Sequence, residues 1–373
     1  MKIAIDARGA NWYNGTGIGT YTNKILQYLI KNDKENEYTL YWSGNNYKRY
    51  ELNNTSIIMT SKKHHSFFEK YYFPHNLKYN NIDLFHVPQN GLGMSLDISC
   101  KKVITIHDLI PFVMPETVGK GYLKRFIQDV PKLIDSADGI ITVSEWSKKD
   151  ILKFVPIDEN KIFVTPLSAS EKYRPLNKKK CQSILESKYN ITKPFILYIG
   201  GFSPRKNVIS LISAFSKIQN DLLEDHNLVI VGANKDEAEK LYDFSGTLGL
   251  SSKIIFTGFA PENMLPILYN GCEVFVYPSY YEGFGLPPLE AMCCGTPVIT
   301  SDLSSIPEVV KDAGILIDPY SLESLMKSLV KVLNDTELKK SLREKGLKRS
   351  SSFSWSKTAN ETLAAYKTIY ESK

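Results

Sequence analysis

A chain of 373 residues is longer than a single hydrophobic core usually grows, so two domains are expected. With 43% hydrophobic and 23% charged residues it reads as an ordinary globular protein, and its formal net charge of +6 permits an anionic ligand or a membrane surface without implying a nucleic-acid partner. No run of about 18 or more apolar residues suggests a membrane-spanning helix; MKIAIDARG reads as a first strand, not a signal peptide; and five cysteines, Cys293 beside Cys294, offer neither a disulfide framework nor a zinc spacing, so a cytoplasmic protein is expected.

Short apolar runs alternate with helical patterns through both halves, which predicts α/β architecture with largely parallel sheets. Lys2 to Asp6 is the first strand. It feeds the loop ARGANWYNGTGIG, after which Tyr21, Ile25 and Leu29 recur at the spacing of one helix face. The glycines form G-x-G-x-G (Gly15, Gly17, Gly19), and the second strand, Tyr38 to Trp42, ends in Ser43-Gly44 without an acid. A dinucleotide fingerprint wants G-x-G-x-x-G and that acid, so the loop is either a turn or a ligand loop of another kind. Residues 44–80 are the least regular part, with Phe67, Phe68, Tyr71, Tyr72 and Phe73 among basic residues. The favoured expectation is a helix packing its aromatics on the sheet. The alternative is a surface that meets a membrane or a lipid-linked acceptor. Strands over Asp83 to Val87 and Lys102 to Ile106 follow, and the latter runs straight into His107-Asp108, where α/β folds place ligands. Ile140 to Val143 is a strand leading to a helix capped by Ser144. The segment KIFVTPLSASEKYRPL, 161–176, gives a last strand and an exit near Tyr173.

The second half restarts the alternation. The strand Phe195 to Ile199 runs into Gly200-Gly201, then FSPRKN, then a helix over 208–218. The P-loop pattern G-x-x-x-x-G-K-[ST] is absent. Instead, Arg205 and Lys206 sit where a loop meets a helix N-terminus, a place suited to a diphosphate. Strands over Leu228 to Val231 and Ile254 to Thr257 end in Gly232 and in Gly258-Phe259. The stretch VFVYPSYYEGFGLPPLEAMCCGTPVIT, 274–300, follows a short helix over 263–270. It reads as strand, Gly- and aromatic-rich loop, helix opening on Pro287 and Pro288, and strand. Gly283 and Gly285 let backbone approach a ligand, and Glu282 and Glu290 are two carboxylates with seven residues between them, suited to hydroxyl groups. Amphipathic helices over 322–333, 337–347 and 355–370 end the chain.

The E-x7-E arrangement inside PSYYEGFGLPPLEAMCCGTPVI resembles the signature of the retaining group 1 (family 4) glycosyltransferases, and VITIHDLIP, PRKN and LSSIPEVV are similar to segments of the same family. The resemblance covers nearly the whole chain and is weakest at 44–80. It implies the GT-B fold: two Rossmann-like α/β domains with parallel sheets facing across a cleft. An N-terminal acceptor-side domain would span 1–172 with the helix 355–373 packing back on it, and a nucleotide-sugar domain would span 173–354. It further implies catalytic roles for His107, Glu282, Arg205 and Lys206, with donor contacts from Gly15, Gly17, Gly201, Arg205, Lys206, Gly258, Phe259, Glu282, Gly283, Phe284, Gly285, Leu286 and Glu290. In the family the first Glu contacts the donor sugar and the second the nucleotide ribose.

The reaction so implied moves a hexose from a nucleotide diphosphate sugar to a hydroxyl with retention, without a metal ion. The phrasing of HDLIPFVMPE and TVSEWSKKDI is most similar to bacterial mannosyltransferases of polysaccharide assembly, which points to GDP-mannose. A UDP-linked glucose or N-acetylglucosamine is the alternative, as is a non-catalytic sugar-nucleotide binder, and no residue decides guanine against uracil. A glycan or lipid-linked glycan acceptor, domain closure over the donor and peripheral contact with the inner face of the cell membrane belong to the same expectation. A retaining glycosidase would instead use two carboxylates about 5–5.5 Å apart, with Glu282 as the candidate nucleophile.

Overall fold

The apolar runs of the first half pair as seven parallel strands: β1 (Lys2–Asp6), β2 (Glu37–Trp42), β3 (Thr55–Met59), β4 (Leu84–Val87), β5 (Lys101–Ile106), β6 (Gly139–Thr142) and β7 (Ile162–Val164). Their order in the sheet is β3-β2-β1-β4-β5-β6-β7. Those of the second half form six: β8 (Phe195–Ile199), β9 (Asn227–Val231), β10 (Ile254–Gly258), β11 (Val274–Tyr277), β12 (Val298–Ser301) and β13 (Ile315–Ile317), in the order β10-β9-β8-β11-β12-β13. Every pairing is parallel. Helices cover such sheets on both faces, which is why β4, β6, β9, β11 and β12 are buried along their whole length.

The computed structural model describes residues 1–233 and 236–372. They fold as two units, one of residues 1–167 with 354–373 and the other of 168–353. Of the expected terminal helix 355–373, Trp355–Glu371 is helical and residue 373 lies outside the described residues. Tyr173, expected at the boundary, lies inside the second unit because its ring packs edge-on against Tyr269, 5.8 Å away between centroids.

Local chemistry explains the elements that frame the strand ends. The helix Gly17–Asn32 starts at Thr16, whose hydroxyl accepts from the Gly19 amide at 3.3 Å, and buries Tyr21, Ile25, Leu26, Leu29 and Ile30. Gly19 is required by packing: a Cβ there would lie 2.1 Å from the Tyr13 carbonyl oxygen. Gly15 is required by its φ of +80°, whereas a Cβ on Gly17 would meet nothing within 4 Å. Ser144 caps the helix Glu145–Phe154 as its sequence predicts, accepting from the Ser147 amide at 3.0 Å.

The irregular segment contains an edge strand, β3, that its sequence does not predict. The turns that follow divide the aromatics between two environments: Phe73 is buried and Phe68 and Tyr72 pack on the first core, while Phe67 and Tyr71 are 53% and 68% exposed. The packing expectation therefore holds for one face only.

The terminal helix is built into the first unit by buried polar contacts. The Tyr366 hydroxyl lies 2.6 Å from His86 Nδ1, and His86 Nε2 lies 2.7 Å from Thr105 Oγ1, which is 3.1 Å from the Tyr21 hydroxyl. Burial, with His107 nearby, pushes the His86 pKa down to about 3, so the imidazole is neutral at pH 7. Tyr366→Phe leaves a buried ring nitrogen unpaired and should cost about 1–3 kcal/mol in urea unfolding. An unchanged midpoint would show that the helix contributes only apolar packing.

Candidate functional site

In each sheet the strand order reverses once, between β1 and β4 in the first unit and between β8 and β11 in the second. Ligands of open α/β sheets bind outside the carboxyl ends of the strands at such a point. In the second unit, the loop after β8 carries Arg205 and Lys206 on a short 3-10 turn, Pro204–Lys206, and Asn207 at φ +56° redirects the chain into the helix Val208–Lys217. The loop after β11 carries Glu282. Backbone stitches the two loops together, with the Tyr280 amide donating to the Arg205 carbonyl at 2.9 Å.

The charged groups meet there. Glu282 Oε1 lies 2.9 Å from Arg205 Nη1 and 2.6 Å from Lys206 Nζ, and the Ser279 hydroxyl donates to the same oxygen at 2.6 Å. Arg205 also donates to the Tyr281 carbonyl, and Lys206 to the Tyr277 hydroxyl. All three charged side chains keep only 12–13% of their surface exposed. Burial pushes the Glu282 carboxyl up, but Lys206 and Arg205 outweigh it and hold the pKa at about 2. Two cations against one carboxylate leave one net positive charge, fixed in position. The expectation of two cations held ready for a diphosphate is therefore refined: they are ion-paired with the residue expected to touch the sugar. Glu282 is itself held by its backbone, whose amide donates to Ser304 Oγ at 3.0 Å while its carbonyl accepts from Ser305 Oγ at 2.8 Å.

Glu290 has the opposite environment. It lies on the helix Leu286–Cys293, and its Oε2 accepts from the Tyr269 hydroxyl at 3.0 Å, with the Tyr173 phenol a second partner. Burial pushes its pKa up to about 7, and the two phenols offset only part of that. The seven-residue spacing thus separates one carboxylate that is ionised at neutral pH from one that titrates there.

The glycines and prolines of the loop define which amides can face a ligand. Gly285 has φ +116°, and a Cβ there would lie 2.8 Å from Ile306 Cδ1. Pro287 and Pro288 carry no N–H, so of the first three helical positions only Leu286 offers an amide. An anion at this helix start would therefore rely on amides of the preceding loop, Gly283 to Gly285, more than the helix itself. Phe284 is buried against Phe353 at 6.0 Å. Gly201 is open, its carbonyl accepting from the Tyr198 hydroxyl at 2.6 Å. Gly258 has φ +68°, and Phe259 beside it is 72% exposed at the end of β10.

His107, Gly15 and Gly17 belong to the first unit. His107 is 7% exposed at the end of β5, edge-on to Tyr21 at 4.8 Å. Its Nε2 lies 2.8 Å from the Pro88 carbonyl oxygen, which can only accept, so the proton sits on Nε2. Burial pushes its pKa down to about 4 against the pull of that carbonyl, so the ring is neutral at pH 7. Asp108 accepts from the Ile110 amide at 3.1 Å and so caps the turn that follows. The residues that sequence reasoning missed, Tyr173, Tyr269, Tyr277, Ser279 and Ser304, are ordinary types whose roles come only from neighbours distant in the chain. Among the described residues no group of three His, Cys, Asp or Glu side chains could hold a metal ion, and no helix is long and apolar enough to cross a membrane.

Two solved structures have the same fold over nearly the whole chain. Sucrose-phosphate synthase from Thermosynechococcus elongatus superposes with a TM-score of 0.78 at 18% identity, covering 99% of each chain. The Anabaena protein HepE, solved with UDP and glucose, gives 0.77 at 16% identity, covering 99% of this chain and all of the other. The fold is GT-B, with two Rossmann-like domains. Residues 183–349 match the family described as Glycosyl transferases group 1, and 15–168 that described as Glycosyltransferase Family 4. The O-antigen chain mannosyltransferase B of Escherichia coli is 32% identical over 286 residues, 77% of this chain and 74% of the relative. The chain belongs to the group 1 glycosyltransferases.

The two glutamates give opposite pH signatures. Glu282 has a depressed pKa, so its stabilisation is present above the unfolded carboxyl pKa and is lost as pH falls toward about 2. Glu282→Gln should cost about 3 kcal/mol at pH 7, since it leaves two largely buried cations unpaired, and should flatten the acid limb of the stability curve. Glu290 has a raised pKa, so the protonated form stabilises the fold at low pH and that contribution is lost as pH rises through about 7. Glu290→Gln should therefore remove a decline in stability between about pH 5 and 8 that the wild type shows. A variant curve parallel to wild type over that range would refute the assignment.

Proposed function

We propose that the protein transfers mannose from GDP-mannose to a hydroxyl of a glycan or lipid-linked glycan, with retention at the anomeric carbon. The observation that carries this reading is the Glu282–Arg205–Lys206 cluster at the β8–β11 switch point, in a chain 32% identical to an O-antigen mannosyltransferase. Breaking the bond from the sugar C1 to the diphosphate places negative charge on the leaving oxygen. Cations fixed before the substrate arrives stabilise that charge without reorganising. Arg205 and Lys206 take this role, and Glu282 locks their positions while accepting from sugar hydroxyls. The acceptor oxygen bonds to C1 on the face the diphosphate leaves, and its proton passes to the departing phosphate oxygen. Glu282, held ionised between two cations, is a poor nucleophile, which favours this front-face route over a covalent sugar intermediate. Glu290, next to two phenols, suits ribose hydroxyls, and the exposed Phe259 suits a nucleobase face. In this reading transfer needs no metal ion.

The UDP complex of HepE favours a second reading, a UDP-linked hexose as donor. Thermal unfolding with GDP, UDP, GDP-mannose, UDP-glucose and UDP-N-acetylglucosamine separates them. A nucleotide at 100 times its dissociation constant should stabilise the wild type by about 2.7 kcal/mol, and the Arg205→Ala, Lys206→Ala double variant should lose that gain. Selective response to the GDP pair supports mannosyl transfer. Response to UDP compounds alone overturns the donor, and no response to any overturns the enzyme reading. NMR of the product's anomeric proton, in EDTA, checks retention and metal independence together.

Phe67 and Tyr71, exposed among Lys62, Lys63 and Lys70, support peripheral contact with an acidic membrane surface. Co-sedimentation with vesicles containing phosphatidylglycerol should be salt-sensitive and fall when both aromatics are changed to serine. Equal binding by that variant would dismiss this face as the contact.

A further inference from the structure

Lys206 lies between two residues that a neighbouring loop grips, and the transfer chemistry above does not use that grip. Arg205 and Lys206 are carried by a single 3-10 turn, Pro204–Lys206. It is closed by the Lys206 amide donating to the Ser203 carbonyl at 2.8 Å and the Asn207 amide to that of Pro204 at 3.0 Å. A lone 3-10 turn has few bonds and poor bond geometry, so it holds its direction weakly by itself. Asn207, at φ +56°, breaks it from the helix Val208–Lys217, so the helix does not aim it either.

Asparagine enters the left-handed region more easily than most residues, and Asn46 and Asn190 do so where they are exposed. Asn207 differs. It is 5% exposed, and both ends of its amide are bonded to other strand-end loops. Nδ2 donates at 2.9 Å to the Pro319 carbonyl, in the loop after β13 and 112 residues along the chain. Oδ1 accepts at 3.0 Å from the Tyr280 hydroxyl, in the loop after β11 and 73 residues along. The Pro319 carbonyl can only accept, which fixes which way round the amide lies. Tyr280 completes the frame: its own amide donates to the Arg205 carbonyl at 2.9 Å, so one residue holds the chain on both sides of Lys206. Its ring stacks on Tyr320, next to Pro319, with centroids 4.7 Å apart and planes at 24°.

We propose that Asn207 and Tyr280 are positioning residues for diphosphate binding, acting through Arg205 and Lys206. The proposal rests on the reading that these two cations receive the donor diphosphate. Arg205 and Lys206 repel one another across a single carboxylate oxygen, so slack in their turn would let them separate. Cations stabilise a leaving group best when they are fixed beforehand, and here the fixing comes from outside the turn. Asn207 and Tyr280 add no charge and supply only geometry. Loosening them should therefore weaken the hold on the outer phosphate and spare the rest of the nucleotide.

The test compares GDP with GMP and UDP with UMP by isothermal titration on the full chain. The wild type should bind the diphosphate of at least one pair more tightly than its monophosphate. Tyr280→Phe keeps the ring stack and the backbone bond and removes only the hydroxyl. Asn207→Gly keeps the left-handed backbone and removes the amide. Each should cut the preference for diphosphate over monophosphate by about threefold to tenfold, the range of one net hydrogen bond, and leave monophosphate affinity within about twofold of wild type. Because Tyr280 acts through Asn207, the double variant should be no worse than Asn207→Gly alone. A merely structural role would lower both affinities together and keep their ratio. That result, an unchanged preference in both single variants, or fully additive effects would overturn the proposal. If Asn207→Gly does not fold, the ratio in Tyr280→Phe decides. A wild type that binds both members of each pair equally would overturn the diphosphate reading of Arg205 and Lys206 as well, and is recognised without any variant.

Discussion

Glu282 remains an anion in a nearly dry place because two cations arrive from a strand end that the sheet topology sets beside it. Burial alone would protonate it, and Lys206 and Arg205 alone would repel one another across the same few ångströms. Only the triad is stable, and it can form only because β8 and β11 are neighbours although they are far apart in the chain. The loops after these strands, the αL residue Asn207, the serines behind Glu282 and the stitch between Tyr280 and Arg205 all serve to keep two cations within about 3 Å of one carboxylate oxygen. The resulting field has one net positive charge and a fixed direction.

The same topological rule acts in the other unit with a different outcome. Asp6 and Arg8 pair at the β1–β4 reversal, Glu69 lies on the other side of the guanidinium, and Lys62 Nζ lies 6.0 Å from the Trp12 ring on which Arg8 rests. One switch point keeps an excess cation, and the other balances its charges. The two glutamates of the second unit show the same dependence on surroundings at shorter range. Glu282 among cations is ionised at any ordinary pH, whereas Glu290 among phenols is poised near neutrality.

Much of the fold was legible from period and punctuation. Strands such as Phe195–Ile199 and Val274–Tyr277 read directly because both faces are buried and the whole run is apolar. β3 was missed because an edge strand with partly exposed residues in TSIIM carries no such run, and β13 because three residues are too few to show a pattern. The aromatic segment after β3 reads as one helix packing on the sheet, but its short, irregular turns split it into a buried side and an exposed side.

The sequence by itself determined the alternation of strand and helix, and hence the parallel sheets. It also determined the glycine turns and the chemical types brought to each strand end, because these depend on neighbours a few residues away. Arg205, Lys206, Glu282, Glu290 and His107 could be named on that basis. Only the tertiary structure decided their partners and charge states. Lys206 and Glu282 lie 76 residues apart, and the partners of Glu290 and Arg8 come from other elements altogether. Electrostatic energy depends on distance and burial in space, neither of which is written in the order of residues along the chain.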